Sequence, residues 1–273
     1  MTFTKKLSSI VDKNNSLVCV GLDSDIGKLP QHLKNQKNPQ FQFNKAIIDA
    51  THDLVCAYKP NSAFYEGNGA QGVAELKMTC DYIRENYPEI VIILDAKRAD
   101  IGNTNEGYMG YVFDYLGADA VTVQPYLGGE ALKPFLDRIE KGIIVLCRTS
   151  NPGAGEFQDL KVEGKPVYQR VAENVAKKWN YNGNCGVVVG ATYPAELAIV
   201  RRLAGDMPIL IPGIGAQGGD VEKTVKAGLD SRKTGAIINS SRGVIFASSG
   251  TDFAQKARQE TQKLKEEINK YRI

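Results

Sequence analysis

The chain has 273 residues, of which 34 are basic and 31 acidic, giving a formal net charge of +3 at pH 7. Apolar residues make up 42% and charged residues 24%, an ordinary composition for a globular protein with a sizeable core. The small net charge argues against a strong attraction of the whole chain to nucleic acid, and no apolar run approaches the ~18 residues that span a bilayer. We therefore expect neither nucleic acid nor a membrane as partner, although local basic residues can still bind a small anion.

The cysteines and the N-terminus predict a cytoplasmic protein. The five cysteines are scattered without a CxxC pair, and most of them lie in or beside apolar runs, where reduced and packed thiols are expected. An odd number of cysteines is typical of a reducing compartment. The first 15 residues lack the apolar core of a signal peptide.

Eight short apolar runs predict eight strands. In chain order they lie at 16–21, 56–60, 90–96, 120–123, 142–147, 186–189, 208–211 and 235–239. Most are continuous runs of Val, Ile and Leu, which is typical of parallel strands buried on both faces.

Segments with helical periodicity separate these strands. Apolar residues recur at helical spacing in 41–55, in 165–179 and in 251–270. Strands that alternate with helices over a chain of this length, without a low-complexity linker, predict an α/β fold, a single-domain TIM (β/α)₈ barrel over residues 1–273. In such a barrel the site lies at the carboxyl ends of the strands, and phosphate binds in the loops after the seventh and eighth strands.

Charged side chains follow each of the first three predicted strands. Asp23 follows the first strand, Lys59 ends the second, and Asp95, Lys97 and Asp100 end or follow the third. Because side chains alternate along a strand, Asp95 and Lys97 are expected to point the same way, into the mouth of the barrel. Two lysines and two aspartates (Lys59, Asp95, Lys97 and Asp100) are thus expected in one small volume, with their charges cancelling.

The alternative to a catalytic role for this array is an ion-pair network that closes one end of the barrel. Buried ion pairs often contribute little net stability, so charges collected at the catalytic face favour catalysis. A lysine flanked by two carboxylates keeps its ammonium form, which suits Lys97 to donate a proton rather than to form a Schiff base. The two histidines, His32 and His52, have no partners at metal-ligand spacing, and no metal site is expected.

The loops after the seventh and eighth strands have the residues of a phosphate site. The first begins at Pro212 and contains a GxGxxG pattern that includes Gln217 and Gly218. As a dinucleotide fingerprint this pattern is weak, because it comes late and no acidic residue ends the following strand, so a phosphate-binding loop is favoured. After the eighth strand come Ser241 and Arg242, and an arginine can hold a phosphate through paired hydrogen bonds.

Two motifs together resemble the orotidine 5′-phosphate decarboxylase family. These are Asp-x-Lys-x-x-Asp-Ile at 95–101, after the third strand, and KPNSAFYE at 59–66, after the second. The longer form DAKRADIGNT at 95–104 resembles the longer bacterial subgroup, often called type 2. The similarity covers essentially the whole chain. It implies decarboxylation of orotidine 5′-phosphate to UMP and CO₂, the final step of de novo pyrimidine nucleotide synthesis, without a cofactor.

The resemblance also implies roles for the charged residues. Asp23 and Lys59 would bind ribose hydroxyls, Asp95 would lie against the substrate carboxylate, and Lys97 would protonate C6 of the pyrimidine. Loss of CO₂ leaves a carbanion in the plane of the ring, and an ammonium held at that position stabilises the developing charge before it delivers the proton.

The same resemblance implies a homodimer with shared active sites. Asp100 would reach into the partner's site beside Ile101 and Thr104. The dimer is an implication of the resemblance alone.

The remaining substrate contacts follow from the resemblance in the same way. Ser150 would hydrogen-bond the amide edge of the pyrimidine, and Gln217 and Arg242 would contact the phosphate. Asn151 replaces a histidine of some shorter members of the family, which should leave Ser150 in its role. Three further residues of the phosphate loops are expected to contact substrate: Pro212, Gly218 and Ser241.

Three other functions stay open on sequence grounds. A magnesium-dependent decarboxylase such as 3-keto-L-gulonate 6-phosphate decarboxylase shares the Asp-x-Lys-x-x-Asp motif, but the KPNSAFYE and TSNPGAGEF runs favour nucleotide substrates. A Schiff-base aldolase needs a neutral lysine, which the acids around Lys97 disfavour. A non-catalytic nucleotide-phosphate binder has no need of the complete charged array.

Overall fold

The structure, a computed structural model, describes residues 1–214 and 219–272. Eight parallel strands close into a barrel: β1 (Val18–Gly21), β2 (Ala57–Lys59), β3 (Val91–Arg98), β4 (Ala120–Val123), β5 (Gly142–Arg148), β8 (Cys185–Val189), β9 (Ile209–Pro212) and β10 (Ala236–Ser240). Their order around the barrel is β1-β10-β9-β8-β5-β4-β3-β2. Every predicted strand is present, with bounds within two residues of the prediction, and the predicted TIM barrel is confirmed.

Helices connect the strands on the outside of the barrel. In chain order they are α1 (Phe3–Asn14), α2 (Gln31–Lys34), α3 (Pro39–Thr51), α4 (Ala63–Glu66), α5 (Gly69–Asn86), α6 (Gly102–Met109), α7 (Gly128–Leu136), α8 (Gly155–Gln158), α9 (Val167–Asn174), α10 (Pro194–Ala204), α11 (Val221–Gly228), α12 (Arg242–Ile245) and α13 (Phe253–Tyr271). Short 3₁₀ turns occur at Ile26–Lys28 and Pro152–Ala154, and α6 and α9 run on into π-helical turns, Gly110–Tyr115 and Val175–Trp179. None of the helices in the described ranges is long and apolar enough to cross a membrane.

The core lies inside the barrel and between the barrel and its helices. The strands contribute Val, Ile and Leu side chains that are fully buried, as expected where both faces of a parallel strand are covered. The helical periodicity predicted over 251–270 is confirmed, since the apolar residues at that spacing are buried against the core in the last helix: Phe253, Ala257, Leu264 and Ile268.

The segment between β5 and β8 differs from its prediction. The expected helix over 165–179 is shorter, because residues Lys161–Val162 (β6) and Lys165–Pro166 (β7) form a two-stranded antiparallel hairpin. The helix that follows buries Tyr168, Ala172 and Val175. Of the valines at helical spacing in the sequence, Val167, Val171 and Val175, only Val175 is fully buried. The amphipathic tyrosine can bury its ring while its hydroxyl stays polar, which a simple apolar count does not weigh.

Candidate active site

A cavity of about 470 Å³ opens at the carboxyl ends of the barrel strands. Its volume lies in the range of small-molecule sites. Its lining residues come from all eight barrel strands or the connections that follow them. They include most of the predicted site residues: Asp23, Lys59, Asp95, Lys97, Ser150, Pro212, Ser241 and Arg242. The barrel therefore brings the two ends of the predicted site, the charged array and the arginine after the last strand, into one cavity.

Four charged side chains form a continuous chain of ion pairs at the ends of β1, β2 and β3. Lys59 Nζ lies 3.7 Å from Asp23 Oδ1 and 3.1 Å from Asp95 Oδ2. The other oxygen of Asp95 lies 2.6 Å from Lys97 Nζ. Lys59 is 3% exposed, whereas Lys97 is about half exposed and lines the cavity. The array thus has a buried cation that fixes the acids and an accessible cation that can meet a ligand.

The ion pairs hold both buried members in their charged forms. Burial alone would raise the pKa of Asp95, but the ammonium groups of Lys59 and Lys97 outweigh it and hold that pKa well below its ordinary value. Burial alone would lower the pKa of Lys59, but the carboxylates of Asp23 and Asp95 outweigh it and raise that pKa. Asp23 Oδ1 is buried and accepts no hydrogen bond from the described residues, so it is an available acceptor for a ligand hydroxyl.

The backbone that presents Lys97 departs from regular strand geometry. The pairing of β3 with β4 shifts register between Leu94 and Arg98, and Lys97 has a φ of 48°. This left-handed conformation is costly for a residue with a Cβ, and such strain is concentrated at functional sites. The predicted common direction of Asp95 and Lys97 is confirmed, but it arises from an irregular strand end rather than from simple alternation.

Thr122 of β4 holds this strand end in place. Its hydroxyl oxygen accepts a hydrogen bond from the backbone N–H of Lys97 (3.0 Å) and donates one to Asp95 Oδ1 (2.9 Å). Thr122 also lines the cavity. The sequence analysis missed it, because a threonine inside a buried strand has no charge or motif to mark it.

Replacing Thr122 by valine is expected to lower kcat by roughly 10-fold or more while KM changes little. The variant loses the hydroxyl that orients Asp95 and Lys97 but keeps the residues that contact the substrate. Thr122→Ser keeps the hydroxyl and is expected to retain most of the activity. Steady-state kinetics of both variants check this, and a valine variant with the kinetics of the wild-type chain would refute the positioning role.

Asp100, Ile101 and Thr104 lie outside the cavity of their own chain. Asp100 follows the end of β3 after Ala99, whose φ is 133°, and it is not among the residues that line the cavity. The Asp100 carboxylate accepts a hydrogen bond from the backbone N–H of Ile101, which is 61% exposed. The expectation that Asp100 joins the other charges in one small volume is therefore not met within a single chain, where Asp95 is the carboxylate paired with Lys97. Thr104 instead lines a separate surface pocket.

The loop after β5 places Ser150 on the cavity wall, together with Thr149, Asn151 and Gln158. Gly190, just after β8, makes room for it, because a Cβ at that position would lie 2.8 Å from the Cβ of Ser150. Since β5 and β1 occupy opposite positions in the barrel order, this wall faces the side of the barrel that carries Asp23.

The side of the cavity with the predicted phosphate contacts is formed by β9 and β10. Pro212 and Ser241 line it together with the guanidinium-bearing Arg242, which is exposed at the start of the short α12. Ser241 packs into space left by Gly21, where a Cβ would lie 1.8 Å from the Ser241 hydroxyl oxygen. The predicted residues Gln217 and Gly218 lie outside the described ranges.

Comparisons with known proteins agree with this geometry. Residues 16–257 match the family described as Orotidine 5′-phosphate decarboxylase / HUMPS family. An orotidine 5′-phosphate decarboxylase of Janthinobacterium sp. (strain Marseille) is 53% identical over 89% of this chain and 89% of its own length. One from Cupriavidus metallidurans is 51% identical over 100% of this chain and 99% of its own length.

A solved structure extends the similarity to the fold. The structure of Leishmania donovani OMP decarboxylase superimposes with a TM-score of 0.86 at 38% identity, over 100% of this chain and 99% of that one. The match therefore includes the connections that line the cavity as well as the barrel strands. On the family match and on relatives that are half identical over nearly its full length, the chain belongs to the orotidine 5′-phosphate decarboxylase family.

Proposed function

We propose that this protein decarboxylates orotidine 5′-phosphate to UMP and CO₂ in pyrimidine nucleotide synthesis, with Lys97 as the proton donor. The observation that carries the proposal is the pairing of the accessible Lys97 ammonium with Asp95, which Lys59 holds from the other side, in a cavity that also contains Arg242. Family membership and relatives with this activity support it.

The chemistry follows from the charges. The bond between C6 and the carboxylate carbon breaks, CO₂ leaves, and the electron pair remains on C6 in the plane of the ring. The positive charge of Lys97 stabilises that pair, Nζ then delivers a proton to C6, and the amine takes a proton back from solvent. Asp95 lies beside the substrate carboxylate and repels its negative charge. This repulsion is relieved when the carboxylate leaves as CO₂.

The rest of the substrate has matching partners on the cavity wall. The available oxygen of Asp23 suits a ribose hydroxyl, and Ser150 suits the amide edge of the base. Arg242 suits the phosphate, because a guanidinium binds phosphate through two parallel hydrogen bonds. The five cysteines are all buried free thiols, which supports a cytoplasmic location.

A spectrophotometric assay of orotidine 5′-phosphate in the presence of EDTA tests the function. We expect full activity with the chelator, because the proposed steps use side chains of the protein. Activity that disappears with EDTA and returns with magnesium would favour the sugar-phosphate decarboxylase alternative, and no turnover at all would contradict the proposal.

We also propose that two copies assemble so that Asp100 of each completes the site of the other. Asp100 does not line its own cavity, and exposed apolar side chains follow the adjacent strands β2, β3 and β4: Phe64, Ile101, Tyr126 and Leu127. Exposed apolar residues grouped around a polar functional residue are typical of a surface that a second subunit covers.

Mixed dimers test the shared site. Lys97→Ala and Asp100→Asn chains are each expected to have very low activity alone. Dissociated and reassembled as an equal mixture, they are expected to recover about one quarter of the wild-type activity, because half of the dimers are mixed and each of these has one intact site. A mixture no more active than its components would mean that Asp100 acts in its own chain or not at all.

A further inference from the structure

Arg148, the last residue of β5, has contacts that the proposed chemistry does not use. Its side chain is nearly fully buried, with 4% of its surface exposed. Nη2 lies 3.1 Å from Asp159 Oδ2, and Nη1 donates to the backbone carbonyl of Thr149 at 3.1 Å. A buried guanidinium needs such partners, because burying a charge without them is costly.

The same guanidinium joins two neighbouring connections. Its central carbon lies 4.1 Å from the ring centroid of Tyr193, a cation–π contact with the residue that precedes α10. The backbone carbonyl of Arg148 accepts a hydrogen bond from the N–H of Gly190 at 2.8 Å. Arg148 thus fastens the loop after β5 to the loop after β8.

The loop 149–159 is also closed by contacts of its own. Gln158 Oε1 accepts a hydrogen bond from the backbone N–H of Thr149 at 2.8 Å, and Gln158 Nε2 donates to the Thr149 hydroxyl at 2.8 Å. Thr149, Ser150 and Gln158 all line the cavity. The ion pair of Arg148 with Asp159 therefore lies directly behind the cavity wall that carries Ser150.

We propose that Arg148, with Asp159, is a positioning residue that sets how tightly this site recognises the pyrimidine base. The proposal rests on the proposed function, in which Ser150 contacts the base. Arg148 acts only on the side of the ligand that carries the base, because the residues assigned to the phosphate lie elsewhere, on the connections after β9 and β10. Loosening the loop should weaken recognition of the base and leave recognition of the sugar phosphate unchanged.

Calorimetric titration with two ligands tests this. For Arg148→Met we expect the Kd of UMP to rise by about 10-fold or more and the Kd of ribose 5-phosphate, which lacks the base, to stay within about twofold. The KM for orotidine 5′-phosphate should rise with the Kd of UMP. Arg148→Lys keeps the charge and should recover part of the affinity for UMP.

A matched control and a second variant complete the experiment. Arg170 forms an exposed ion pair with Glu163 on the same connection, away from the cavity, so Arg170→Met should bind both ligands as the wild-type chain does. Asp159→Ala removes the half-exposed partner and should weaken UMP binding in the same selective way. This variant decides the matter if Arg148→Met does not fold.

Two outcomes would overturn the positioning role: UMP binding that does not change in Asp159→Ala and Arg148→Met, or equal losses for UMP and ribose 5-phosphate, as a general scaffold role predicts. Failure of the proposed function has a different signature. In that case the wild-type chain does not release CO₂ from orotidine 5′-phosphate, whereas failure of the positioning role leaves a wild-type chain that is active and variants that show one of the two patterns above.

Discussion

Lys97→Ala is expected to lower kcat/KM for orotidine 5′-phosphate by roughly four orders of magnitude or more, because it removes the proposed proton donor and the charge proposed to stabilise the carbanion. The fold should persist, since this side chain is half exposed and Lys59 still pairs with Asp95. Binding of UMP should largely survive, because C6 of UMP already carries its proton and the other contacts of the ligand with the cavity remain.

Arg242→Ala is the matched variant from the other side of the cavity. It should weaken UMP binding and raise KM, with a smaller effect on kcat than Lys97→Ala has. Stopped assays at high protein concentration, combined with calorimetric titration of UMP, separate the two patterns. A Lys97→Ala chain that turns over normally would remove the central role assigned to this residue.

Lys59→Met is expected to damage stability and activity together. It leaves the carboxylates of Asp23 and Asp95 without their shared buried cation, and removing one partner of a buried ion pair costs about 3–5 kcal/mol. Lys97 then loses the fixed orientation of Asp95, and kcat/KM should fall by about 100-fold or more. Urea unfolding and steady-state kinetics measure the two losses.

The pH dependence of stability gives a sharper form of this prediction. The lowered pKa of Asp95 contributes stability that is present above its unfolded value of about 3.9 and is lost as the pH falls through the lower folded value. The raised pKa of Lys59 contributes stability that is present below its unfolded value of about 10.4 and is lost as the pH rises through the higher folded value. Lys59→Met should remove the contribution of Lys59 to the alkaline dependence and reduce the acid dependence.

The double variant Lys59→Met/Asp23→Asn is the control, because it removes one of the two carboxylates that have lost their cation. It should recover part of the stability of the single variant but little of its activity. Equal unfolding free energies for the wild-type chain and Lys59→Met from acid to alkaline pH would mean that Lys59 is not coupled to Asp23 and Asp95 as the geometry indicates.

The barrel could be predicted from the sequence because its strands are buried on both faces. Residues 91–94 are all Val, Ile and Leu. A central parallel strand buries such side chains on both faces and pairs the backbone N–H and C=O groups, and few other structures do both. The charged strand ends could be predicted as well, since Lys59, Asp95 and Lys97 follow such runs directly. The order of strands in a barrel then brings them together without further information.

The features of the site that could not be predicted from the sequence depend on contacts between residues distant in the chain and on local backbone conformation. Thr122 is an unremarkable strand residue until the shifted register of β3 brings the Lys97 N–H to its hydroxyl. Arg148 follows the predicted fifth strand without a motif to mark it, and its burial depends on Asp159 and on Tyr193 from another connection. The position of Asp100 outside the cavity lining follows a backbone conformation at Ala99 that single-residue preferences disfavour.

Exchange of the C6 hydrogen of bound UMP tests the role of Lys97 most directly, because protonation of C6 must run backwards through the same group. UMP carrying deuterium at C6 is incubated with saturating protein in ordinary water, and loss of the label is followed by NMR. We predict measurable loss with the wild-type chain and none above background with Lys97→Ala at concentrations where UMP is bound. Equal rates of loss with both chains would show that another group exchanges the proton at C6.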